Sequence, residues 1–252
     1  MSKRTVTTPD RTVWLKNNEL HREDGPAIVK TDGSQYWYRN GKRHREDGPA
    51  VITKDNLQKW YKNDELHRDD GPAIIYPNGT KEYYIRGILD REDGPAVIRG
   101  NGSQLWYKNG LKHREDGPAF VGTEGTKEWY QNGKLHREDG PAVIRWSGYS
   151  AWYKNGLKHR EDGPAEIYMD GSGEKTWYYL GEKHRNDGPA IIWTDGSQFW
   201  YKNGRMHRED GPAGIYADGD KEWWLEGDEY HNEVLWRLEV HRLKRQEKEK
   251  ED

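Results

Sequence analysis

Trp37-Tyr38-Arg39-Asn40-Gly41-Lys42-Arg43-His44-Arg45-Glu46-Asp47-Gly48-Pro49-Ala50-Val51-Ile52 carries the signals that decide the fold. An aromatic run suited to a pleated surface leads into Asn-Gly, a dipeptide of tight hairpin turns. The charged His-Arg-Glu-Asp-Gly-Pro-Ala string follows, and then a β-branched pair. The charged string recurs along the chain. HREDGPA begins at His21, His44, His113, His136, His159 and His207, with HRDDGPA from His67, DREDGPA from Asp90 and HRNDGPA from His184. Successive starts are 23 residues apart, except for 25 between His159 and His184. Self-similarity at a fixed period identifies a repeat array before any propensity is weighed.

Each unit reads as two strands joined by two hairpin turns. A Trp stands seven residues before the His position, at Trp14, Trp37, Trp60, Trp106, Trp129, Trp152, Trp177 and Trp200, with Tyr83 in the remaining copy. The aliphatic strand follows Gly-Pro-Ala, as in Ile28-Val29 and Val51-Ile52. Asp32-Gly33, Asn78-Gly79 and Asp195-Gly196 turn the chain between the two strands, and Asn40-Gly41, Asn109-Gly110 and Asn155-Gly156 turn it after the aromatic one. The pattern predicts an all-β fold: an elongated single-layer antiparallel β-hairpin ribbon of about 19 strands with a C-terminal capping α-helix. Residues 1–10 are expected as an N-terminal extension, 11–230 as about nine and a half repeats, and 231–252 as a helix with a charged tail.

Composition agrees with a thin structure. Ile, Val, Leu and Phe together make 37 of 252 residues, about 15%, a fraction at which disorder would be considered. The 13 Trp, 16 Tyr and net charge of only -3 argue the other way. No apolar run reaches membrane length and Met1 to Asp10 holds no apolar leader core, so a cytoplasmic location is expected. The absence of Cys removes disulfides and Cys-based zinc sites. A pI near 6.4 argues against a non-specific grip on nucleic acid, which needs a clustered basic face.

The 23-residue hairpin unit with its YxNG and DG spacing resembles MORN repeats, and the HREDGPA form resembles the MORN-like repeat proteins of large DNA viruses, phages and some bacteria. The resemblance covers Arg11 to about His231. The Gly-rich YEGxW core of the MORN unit is replaced here by WYKNG and REDGPA segments. A face that varies between copies of a rigid repeated frame points to a non-catalytic protein-binding scaffold or inhibitor, and the resemblance adds a viral or phage origin and a host protein as its target, in the host cytoplasm or the virion. A membrane or phosphoinositide association and a structural role in a virion or large assembly are its alternatives.

Within REDGPA, Gly is expected to supply unusual φ, Pro to fix φ at the strand entry, and Asp to bond neighbouring backbone N–H groups. Ala is small enough for an aromatic ring to lie over it. Arg is expected to bridge to a carboxylate of the adjoining unit, since equivalent positions two strands apart are separated by about 10 Å. His, Glu and Asp are the right types for zinc or for acid–base chemistry. Here they repeat nine times with no copy of special composition, and no GxSxG, Walker or HExxH pattern accompanies them. No catalytic, cofactor or metal site is therefore expected.

Period-two alternation puts Ala27 with Val29, and Ala50 with Ile52, on one face together with the Trp stripe. The opposite face varies between copies. Its positions include Lys30, Thr53, Tyr76, Arg99, Gly122, Arg145, Tyr168, Trp193 and Tyr216 after the aliphatic residue, and Phe120, Glu166 and Gly214 before it. Tyr76, Arg99, Arg145, Trp146, Tyr168, Trp193 and Tyr216 are of types enriched at interface hot spots and form the candidate partner-binding set, with Trp236 added from the C-terminal helix. A two-residue insertion lengthens the hairpin around Met169 to Gly173. In the helix Trp236, Val240 and Leu243 form one stripe, expected to cap the sheet, while Val234, Leu235 and Leu238 point elsewhere and leave room for a partner or a second copy. Self-association is expected through that helix or a sheet edge. The tail from Lys244 to Asp252 is expected to fray.

Overall fold

The computed structural model describes residues 2–169, 171 and 173–251. The chain is mostly β: a 22-stranded antiparallel sheet made of hairpins, further two-stranded hairpins beside it, and one helix, Glu233–Glu251. By contact it divides into two units, residues 1–123 with 130–133, and residues 124–129 with 134–252. No helix among the described residues is long and apolar enough to cross a membrane.

In the first unit Arg11–Lys16 pairs with Ile28–Lys30, which pairs with Gln35–Tyr36, then Val51–Ile52, then Gln58–Lys59, every step antiparallel. The ladder continues in the same manner through Phe120–Val121. The second unit repeats it from Lys127–Glu128 to Lys221–Leu225. Lys3–Thr8, expected as an extension, is a strand paired with Arg11–Lys16. Its Lys3 and Arg4 are exposed, and charge on an edge strand discourages further pairing.

The aromatic strand breaks at its Trp. Trp37 N–H donates to the Ala50 carbonyl at 2.8 Å, and the Trp37 carbonyl accepts from His44 N–H at 3.2 Å. Tyr38–Arg39 then pairs with Lys42–Arg43 in a separate short hairpin, which we term the arm. Asn40 and Gly41 at its tip have φ of 50° and 75°, the left-handed pair that a type I′ turn demands. The other turn differs. Gly33 has φ 90° and Asp32 is not left-handed; instead the Asp32 carboxylate accepts from Ser34 N–H at 2.8 Å. That is the three-residue hairpin loop with a glycine bulge.

The arms change which face is covered. All nine Ala of the repeated string, from Ala27 to Ala213, have no exposed surface. The residue directly after each Ala, expected on the variable outer face, is also buried at Val51, Ile74, Val97, Val143, Glu166, Ile191 and Gly214. Tyr61 explains this in its own repeat, because it leaves the arm to pack on Ala50 and Val51 with Tyr36, Trp37 and Leu66. Burial of a Val or Ile side chain contributes about 1.5–3 kcal/mol. The variable positions therefore border a covered layer, where the sequence suggested an open surface.

The helix closes the second unit as expected. Asn232 caps it through Oδ1, which accepts from Leu235 N–H at 3.0 Å. Trp236 and Val240 bury against Leu225, with Trp223, Tyr230 and Leu243 around them. The helix then continues through the charged tail to Glu251, where fraying was expected. Val234, Leu235 and Leu238 remain exposed.

Candidate functional site

The repeated loop is a local clamp. Arg45 Nε donates to Asp47 at 2.9 Å and its Nη1 to the Pro49 carbonyl at 3.3 Å, while its Cζ lies 4.1 Å from the Trp37 ring centroid. Every loop repeats this, with the guanidinium over Trp or Tyr83 at 3.9 to 4.3 Å. The bridge expected to the adjoining unit is not made: Arg reaches the nearer Asp of its own loop and a ring of its own repeat. The reading of Gly also changes. Gly48 lacks a left-handed φ, but a Cβ there would stand 3.0 Å from Arg45 Cζ, so any side chain at this position must displace the guanidinium lying against it. The Arg45 bond holds the Asp47 carboxyl below the usual aspartate range. Arg45 is recessed at 22% side-chain exposure and Asp47 stands out at 82%, so the loops present carboxylates to solvent.

Histidine ties one repeat to the next. His21 Nδ1 accepts from the Asn40 backbone N–H at 3.0 Å, and its Nε2 faces Glu23 at 3.2 Å. The same Nδ1 contact joins His44 to Asn63, His67 to Arg86, His113 to Asn132, His136 to Asn155, His159 to Leu180, His184 to Asn203 and His207 to Glu226. Asp90 makes it with a carboxylate oxygen, Oδ2 accepting from Asn109 N–H at 2.9 Å. The position requires an acceptor at that point, which both residue types supply. Between successive loops lie open grooves. One of them, about 890 Å³, is lined by Asp90 to Pro95, Trp106 to Asn109 and His113 to Asp116. Among the described residues no group of three or more His, Asp or Glu is placed to hold a metal ion.

The candidate binding residues separate into several environments. Trp193 and Tyr216 flank Phe199, with ring centroids at 4.9 and 5.3 Å. Arg145 lies 5.0 Å from the Tyr149 ring, which in turn meets Tyr168 at 4.8 Å. Tyr76 is half-buried, and burial together with Glu82 pushes its hydroxyl up. Arg99 is exposed and lines a groove with Glu82, Val97, Leu105 and Tyr107. Trp236 is taken by the cap: it is buried, and its Nε1 donates to the Arg208 carbonyl at 3.1 Å. Trp146 is 72% exposed.

Two features escaped the sequence reading as site residues. Met169 holds the same place in its repeat as Trp146 does in the one before, and it is 73% exposed. A Cβ placed on Gly148 would lie 2.8 Å from the Met169 Cβ, so the two hairpin tips touch. Beneath them Glu166, only 4% exposed, occupies an aliphatic position. It accepts from Lys158 Nζ at 2.5 Å, Tyr149 Oη at 2.7 Å and Tyr168 Oη at 3.2 Å. Burial pushes the Glu166 carboxyl up, but Lys158 and Tyr149 outweigh it and hold the group below the usual glutamate range. Burial and the Glu166 contact push Tyr149 far upward, so its hydroxyl stays a donor. The sequence signal was a lone charged residue, Glu166, in a column otherwise made of Ile, Val, Phe120 and Gly214.

No family model matches the chain, and no curated protein matches its sequence.

Proposed function

We propose that the protein is a binding scaffold whose partner is another protein and whose main anchor is the tip pair Trp146 and Met169. The supporting observation is their exposure, 72% and 73%, at one repeat position in adjoining copies. The other copies place Thr31, Lys54, Pro77, Gly100, Thr123, Thr194 and Ala217 there. Large exposed apolar side chains set side by side on a braced frame are typical of anchors for a partner. Arg145 stands beside them in the sequence; of the insertion around Met169 to Gly173, Asp170 and Ser172 lie outside the described residues. The resemblance to MORN-like proteins of viruses and phages makes a host cytoplasmic protein the first partner class to examine.

Proximity crosslinking in the native cell tests the proposal with the double variant Trp146→Ala/Met169→Ala. Each lost anchor is expected to weaken a true partner by about 10-fold or more. Ile85→Ala with Leu111→Ala, in the other unit, serves as the control and is expected to keep the partner. A partner set unchanged by the first pair would overturn the proposal.

A further inference from the structure

We infer that the histidine ladder is a proton-sensitive clasp: protonation of Nδ1 releases the arm turn of the following repeat, so mild acid loosens the arms copy by copy. The argument begins from the donor inventory. A neutral imidazole accepts at one nitrogen and donates at the other, whereas an imidazolium donates at both. The backbone N–H of Asn40 points at His21 Nδ1, and that of Asn132 at His113 Nδ1. A proton on Nδ1 would set donor against donor, and the bond is lost.

The groups around each ring determine which copies respond. On the Nε2 side stand Glu23, Glu46, Asp69, Glu115 and Glu138, facing His21, His44, His67, His113 and His136 in turn. These carboxylates are 64 to 90% exposed, so their electrostatic pull is screened. Lys16, Arg39 and Lys108 pair with Glu23, Glu46 and Glu115 and weaken that pull further. The neighbouring loop Arg is occupied by its own Asp and Trp.

Three copies differ. His159, whose Nε2 also faces Glu161 at 3.4 Å, and His184 both meet the Tyr179 ring, at 4.9 and 6.0 Å, and Asn186 replaces the carboxylate beside His184. His207 has Glu226 Oε1 3.0 Å from Nδ1 and Glu209 on the other side, the latter paired with Lys244, so a proton on its Nδ1 gains an acceptor. Asp90 is the built-in insensitive copy, because a carboxyl group keeps acceptor capacity whether or not it is protonated.

Amide hydrogen exchange at about pH 7.5 and about pH 5.5, corrected for intrinsic rates, reads the clasp one turn at a time. Protection of the Asn40, Asn63, Asn132 and Asn155 amides is expected to fall about 10-fold in acid, as suits the loss of one hydrogen bond. The Asn109 amide, held by Asp90, is expected to keep its protection. His113→Asp should make Asn132 behave as Asn109 does. If Asn109 and Asn132 respond alike in the unmodified protein, by losing or by keeping protection together, the inference is overturned.

Discussion

Arg114 lies over Trp106 with its Cζ 4.1 Å from the ring centroid, and the same guanidinium is held by Asp116 at 2.8 Å. The pair shows why the loop tolerates so little change: ring, cation, carboxylate and glycine occupy one column. Cation–π contacts of this kind contribute about 0.5–1 kcal/mol at exposed sites and more when desolvated. Because the column recurs nine times, small local terms act along the whole array.

The glycine of that column gives the first prediction. Gly48→Ala should destabilise by about 1–3 kcal/mol through overpacking against Arg45. In an Arg45→Ala background the same change should cost under about 0.5 kcal/mol, because the obstacle is gone. Urea denaturation of the four proteins of the cycle measures the coupling. Equal costs in both backgrounds would show that backbone conformation, not the guanidinium, demands glycine.

Acid should weaken the protein through the loop aspartates. Asp47, Asp70, Asp116, Asp139 and Asp162 are all held below the usual range by their Arg partners. A carboxyl with a lowered folded-state value stabilises fully above the unfolded range, about pH 4, and loses that contribution as pH falls through the lowered value. The urea midpoint should therefore drop as pH falls below about 4. About 0.5 M salt should flatten the slope, since the carboxylates are exposed.

The buried Glu166 gives an asymmetric prediction. Lys158→Ala leaves the carboxylate with its tyrosine donors and no cation, and should cost about 2 kcal/mol, less than a fully buried pair because Lys158 is 25% exposed. The paired replacement Glu166→Ile with Lys158→Met should restore the lost stability or exceed it. Thermal melts of the single and double variants decide whether the pair stabilises the repeat or only distinguishes it from its neighbours.

Trp236→Ala should unseat the cap. Loss of a buried Trp costs about 3–5 kcal/mol, and in a repeat array the effect concentrates in the nearest unit. Exchange protection should fall across Lys221–Leu225 and Asp228–Tyr230 while strands near the N-terminus keep theirs. Leu238→Glu, on the exposed stripe, should leave both regions unchanged.

The repeat, both turns and the helix were legible because each rests on local chemistry: Asn-Gly for a left-handed pair, and Trp236, Val240 and Leu243 on one stripe. The faces were less legible for a specific reason. Alternation along Ala50, Val51 and Ile52 assumes one continuous sheet, and the break at Trp37 lets the arm return over the side that alternation left open. Arg45 was misread because a 10 Å gap between units made a long bridge plausible, whereas the loop curls enough to bring Asp47 within reach first. Asp90 was readable in hindsight: a His that accepts one backbone hydrogen bond and an Asp that does the same share no charge and no shape, only a lone pair.

The arm tips carry a consequence for heredity. Gly41 N–H bonds to the Leu20 carbonyl and Gly110 N–H to the Leu89 carbonyl, each reaching back to the same atom one copy earlier. An in-frame duplication or deletion of a whole unit would thus bring equivalent donors and acceptors back into register. A chain with one unit more or fewer would meet the same bonding pattern at the new junction.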